Sequence, residues 1–126
     1  MKIKLLFKQF KSYSIVGLIS LTIDAIVYVF LSDFLLFSKS SSKIISFIIA
    51  SINSFYLNKI FTFEINVFNH KEPLKFILLY LISLIANSFT HDFFLNIIDG
   101  IWPFLIATLV SVIINFTGQK LWVFKN

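Results

Sequence analysis

Asp24 stands inside an otherwise apolar run, Tyr13 to Leu36. Read as a helix rising about 1.5 Å per residue, the run places this carboxylate roughly 16 Å from Tyr13. That is near the middle of a hydrocarbon layer about 30 Å thick. A charge there costs at least about 3 kcal/mol, so Asp24 must face an interior or a hydrated cavity, or hold a proton. Two uses are open: a hydrogen bond to Asn, Ser or Tyr of a neighbouring helix, or a substrate, ion or proton site.

Other polar residues recur at helical spacing. Tyr13, Gly17, Ser20, Asp24 and Tyr28 share one face, as do Tyr80, Ser83, Asn87 and His91. Thr108, Ser111, Asn115 and Gln119 form a third stripe, and Ala50, Ser54 and Asn58, with Asn53 beside them, a fourth. Asn53, Asn87 and Asn115 are candidates for ligand contact, but amides also join helices to one another.

The chain repeats itself. SINSFYLNKIFTFE, from Ser51, matches VIINFTGQKLWVFK, from Val112, at an offset of 61. Ser54 meets Asn115, Asn58 meets Gln119, Lys59 meets Lys120, Phe61 meets Trp122 and Phe63 meets Phe124. At an offset of 63, Asp24 meets Asn87 and Ser20 meets Ser83, so the duplication extends to the preceding runs. Lys59 and Lys120 close apolar runs, where lysine snorkels to the interface and complements a helix C-terminus. The same position suits a phosphate at headgroup depth.

His91 and Asp92 are adjacent, and on a helix adjacent side chains diverge by about 100°. They do not make a relay. No cysteine is present, and no group of convergent ligands calls for a metal or another cofactor. Without a P-loop or a nucleophile with its base, the sequence points away from an enzyme.

The elements that carry these residues are membrane spans. Hydrophobic residues make up 58% and charged ones 13%, against about 25% charged in soluble domains, and the mean hydropathy is +0.90. The net charge of +5 comes from lysines beside apolar runs, a pattern for anionic lipid rather than nucleic acid. Lys2 to Lys11 reads as a basic amphipathic lead-in with no signal cleavage after it. Spans are expected at 13–36, 44–63, 74–98 and 102–124, in one domain covering 1–126. Ser38 to Ser42 and Glu64 to Glu72 connect them, Pro73 begins the third, and Asp99-Gly100 turns before Trp102-Pro103. The expected architecture is all-α, two tandem two-helix repeats of the same topology. Lysine placement puts both termini on the cytoplasmic side, opposite Lys39 and Lys43.

These residues resemble the GtrA-like family of small four-span membrane proteins. Tyr13-Ser14-Ile15-Val16-Gly17 followed by Thr22-Ile23-Asp24 resembles the family's opening motif. Ser54 to Phe63 resembles its S/N-F-x-x-N-R/K-x-F/W-x-F signature, and Asn115 to Phe124 a second copy. Gln119 replaces the usual asparagine, and lysine replaces arginine at both basic positions, which removes arginine's bidentate fork. The resemblance implies translocation of a polyprenyl-phosphate-linked sugar across the cytoplasmic (inner) membrane, beside a membrane glycosyltransferase. Asn58, Lys59, Gln119 and Lys120 would hold the phosphate. Asp24, Asn53, Asn87 and Asn115 would line a path for the sugar, with the polyprenyl chain among membrane lipids. Four thin-walled helices would favour a homodimer. The alternatives are a non-transporting anchor that recruits a glycosyltransferase, and a small proton-coupled multidrug exporter centred on Asp24.

Overall fold

The computed structural model describes residues 2–125. It is helical, with no strand among the described residues. Four helical stretches are long and apolar enough to cross a membrane: Lys2–Phe34, Lys39–Thr62, Glu72–Leu95 and Trp102–Val123. They form two compact units, one up to Asn66 and one from Val67, and each is a helical hairpin.

In the first hairpin, α1 (Lys2–Val29) runs into a π-helical turn, Phe30–Phe34. The basic lead-in is therefore not a separate segment but the first turns of α1. At about 1.5 Å per residue the whole stretch is roughly 50 Å long, well beyond a bilayer core. The excess lies at its start, where Lys8 Nζ pairs with Glu64 Oε1 at 2.6 Å, both side chains exposed. From Ser12 to Phe34 the helix rises roughly 33 Å, enough for one crossing.

α2 (Lys39–Leu57) starts earlier than the expected span because the serine-rich connector builds its first turn. Ser38 caps it, its Oγ accepting from Ser41 N at 3.1 Å, as N-cap serines do. Ser42, Ser46, Ala50, Ser54, Asn58 and Thr62 then recur every fourth residue, all buried. Against them lie Ser12, Val16, Ser20 and Asp24, also four apart. Small side chains in such rows let two backbones approach closely. The cross-links Ser12–Thr62, Asn53–Ser20 and Ser46–Asp24 make the pair antiparallel.

The second hairpin packs α3 (Glu72–Leu95) on α4 (Trp102–Gly118), which continues as the π turn Gln119–Val123. Pro73 and Pro103 lie in the first turns of their helices, where the missing N–H costs nothing. α3 ends at Leu95, before the expected Ile98, and the chain turns through Gly100 at φ +80°. Pro103, Ala107, Ser111, Asn115, Gln119 and Val123 repeat the four-residue row of α2 at the offset of 61. At Gly118 the Leu79 side chain packs directly on α4: a Cβ there would overlap it.

Burial runs opposite to that of a soluble protein. Ser42, Ser46, Asn58 and Gln119 are among the most enclosed residues, while Leu18, Ile26, Ile85, Phe89 and Trp102 lie exposed. In lipid there is no penalty for exposing leucine, and polar groups must turn inward to find partners.

Candidate functional site

At one end of the first hairpin, α2 closes in the π turn Asn58–Thr62. Phe63 N donates to Asn58 O at 2.9 Å, and Ile65 N to Lys59 O at 2.9 Å. The turn is completed by Glu64 in the left-handed region, φ 55°. Inside it, Asn58 Nδ2 donates to Ser54 Oγ at 3.3 Å, and Thr62 Oγ1 donates to Asn58 Oδ1 at 3.0 Å. Ser12 Oγ meets Thr62 Oγ1 at 3.1 Å. The Asn58 amide thus has a partner at each end, both on its own helical stretch, and through Thr62 the circuit reaches Ser12 of α1. Lys59 is buried beside it.

The second hairpin has the same backbone at the matching place. Gln119–Val123 is a π turn, and Phe124 N donates to Gln119 O at 2.9 Å. The side-chain chemistry differs. Gln119 is fully enclosed, and neither its Nε2 nor its Oε1 has a hydrogen-bond partner; Asn115 Oδ1 is also buried without one. The cause lies in the row: Asn115 stands where Ser54 does, and Val123 where Thr62 does. Each orphaned atom costs about 1–3 kcal/mol. Lys120 is half-buried beside Gln119. Lys75 reaches the same end, its Nζ donating to Trp122 O at 3.5 Å.

Towards the other end of the first hairpin, Asp24 is buried and twice bonded. Lys43 Nζ lies 2.5 Å from Oδ2, and Ser46 Oγ donates to Oδ1 at 2.6 Å. The carboxylate borders a hollow of about 260 Å³ lined by Leu21, Ala25, Tyr28 and Lys43. Lys43, read from sequence as the end of a connector, is instead in α2 and serves as the counter-ion. The second hairpin lacks this charge pair. Asn87 stands in place of Asp24 and donates from Nδ2 to Ser111 Oγ at 2.8 Å; Ser83 Oγ donates to Ser111 O at 3.4 Å. Asn53 reaches Ser20 at 3.4 Å.

The structure brings Asn58 and Lys59 together in one turn and Gln119 and Lys120 in another, and within the first hairpin it places Asp24 away from the Asn58 turn. Asn53 and Asn87 each join the two arms of their hairpin. His91 Nδ1 and Asp92 Oδ1 are 3.7 Å apart, beyond a hydrogen bond. No group of three or more potential metal ligands occurs among the described residues. Sequence reasoning missed Lys43, Ser46, Thr62 and Ser12. The four-residue series from Ser38 through Asn58 to Thr62 was the available signal.

Four apolar helical stretches with polar rows turned inward define a multi-pass helical membrane protein. A model of the GtrA/DPMS transmembrane domain matches residues 12–124, and the chain belongs to that family. The membership links it to the handling of sugars on carrier lipids. No curated protein and no solved structure matches the chain.

Proposed function

We propose that this protein moves a polyprenyl-phosphate-linked sugar across the cytoplasmic membrane, for cell-surface polysaccharide synthesis or glycosylation, without covalent chemistry. The observation that carries the reading is the amide-lysine π turn repeated at the ends of α2 and α4. Single π-helical turns in helices occur frequently at functional sites. Each turn holds a lysine where a span ends, the depth at which a lipid-linked phosphate carries its charge.

In this reading Lys59 in the first hairpin and Lys120 in the second each offer an ammonium to a phosphate, while Asn58 fixes the first turn through Ser54 and Thr62. Asp24, Asn53, Asn87 and Asn115 replace water for the sugar hydroxyls, each of which would otherwise cost several kcal/mol in hydrocarbon. The polyprenyl chain stays among the lipids. A membrane glycosyltransferase supplies or consumes the cargo, and a homodimer would thicken the walls of the path. The Lys43–Asp24 pair speaks against a cation exporter, since the carboxylate such a carrier needs is already neutralised.

The test is transbilayer movement of a fluorescent polyprenyl-phosphate sugar in proteoliposomes. Wild-type protein is expected to accelerate it, and Lys59→Ala with Lys120→Ala to abolish the acceleration. Movement no faster than in empty vesicles, with folded and inserted protein, would transfer the assignment to a glycosyltransferase-recruiting anchor.

A further inference from the structure

The two π turns share a backbone but not a hydrogen-bond circuit, and the difference assigns them different work. We propose that Asn115 and Gln119 form a hydroxyl-recognising subsite in the second hairpin, which distinguishes a sugar-bearing lipid from its bare phosphate carrier. This rests on the carrier-lipid reading above and divides its binding residues.

The first turn is complete in itself. Asn58 is bonded to Ser54 and to Thr62, and Thr62 to Ser12, so both amide atoms of Asn58 already have a partner within the protein. In the second turn those partners have been exchanged for Asn115 and Val123. Asn115 Oδ1, Gln119 Oε1 and Gln119 Nε2 are left buried and unpartnered, one helical turn apart on one face. Buried polar atoms without partners are few in folded proteins, and three together point to something that fills them.

Their chemistry selects the occupant. Two of the three are acceptors and one is a donor. An ionised phosphate brings acceptors alone and would leave both oxygens unmet. A hydroxyl donates and accepts, so two or three hydroxyls of one sugar ring can satisfy the set. Gln119 and Lys120 belong to the same π turn, so the hydroxyl subsite and a lysine lie at the same end of the second hairpin. Gln119 is closed off in this structure while Asn115 is half-buried, so the turn held by the Phe124 N to Gln119 O bond must open to admit the ring.

The test uses the full chain in nanodiscs. The probes are polyprenyl phosphate and the same lipid carrying glucose, galactose, mannose or N-acetylglucosamine. Wild type is expected to bind at least one glycosylated lipid about tenfold more tightly than the bare lipid, the worth of one or two added hydrogen bonds. Gln119→Met is expected to remove that preference by lowering affinity for the glycosylated lipid, with a melting temperature equal to or above wild type. Asn115→Ser with Val123→Thr, which rebuilds the closed circuit, should do the same. A preference that survives Gln119→Met, or a variant that melts lower because the amide was already partnered, would overturn the subsite. Wild type that binds bare and glycosylated lipids equally would overturn it too, while leaving the carrier reading intact. Wild type that binds neither lipid would remove both.

Discussion

The ammonium of Lys43 reaches Asp24 from the opposite arm of the first hairpin, 2.5 Å from Oδ2, and the two partners are unequally enclosed. The Lys43 side chain is 59% exposed and that of Asp24 12%. Losing the lysine strands a buried carboxylate, whereas losing the carboxylate leaves a lysine that can swing outward. Lys43→Ala is therefore expected to destabilise the protein by about 2 kcal/mol, discounted for the exposed partner. Asp24→Asn should cost less than about 1 kcal/mol. Thermal unfolding in detergent of both single variants and the double variant measures the coupling. Equal losses would show that burial does not govern the pair.

Thr62 and Val123 occupy matching places in the two turns, and exchanging their chemistry should have opposite effects. Thr62→Val removes the donor to Asn58 Oδ1 and the contact with Ser12, a loss of about 1–2 kcal/mol. Val123→Thr offers Gln119 a hydroxyl one turn away and should stabilise by up to about 1 kcal/mol. The comparison needs only melting temperatures in one detergent.

Gly118 and Gly17 make a second contrast. A methyl at Gly118 meets the Leu79 side chain, with Cδ2 2.7 Å from the new atom, while nothing lies within 4 Å at Gly17. Gly118→Ala is expected to cost about 1–3 kcal/mol by overpacking, partly recovered with Leu79→Ala. Gly17→Ala should be neutral or gain up to about 1 kcal/mol from helix propensity.

Leu36 follows the π turn of α1 in the left-handed region, φ 56°, with its side chain largely exposed. A branched side chain there costs about 1–2 kcal/mol. Leu36→Gly should relieve that strain and raise the melting temperature without altering lipid binding.

Much of the fold was legible because lipid imposes a simple rule: some twenty apolar residues in a row must be helical to satisfy their backbone. The repeat at 61 was equally plain, since it is a property of residue order. Ends were read less well. Ser38 to Ser42 looked like a connector but caps and starts α2, and the basic lead-in is continuous with α1, because serines and lysines fit a helix end as readily as a loop.

For the site, the sequence alone determined which residues carry chemistry: Asp24, the amides and the repeated lysines. It also held the whole four-residue row, of which the stripe through Ser54 and Asn58 and its counterpart through Asn115 and Gln119 were read, but not the exchange of Thr62 for Val123. Only the tertiary structure decided which of these groups are satisfied. Asp24 is neutralised because the register of α2 on α1 brings Lys43 and Ser46 to it. Asn58 is bonded and Gln119 is not, although both close the same kind of turn. A hydrogen bond depends on what stands within about 3 Å in space, and across two helices that distance is set by packing, not by order along the chain.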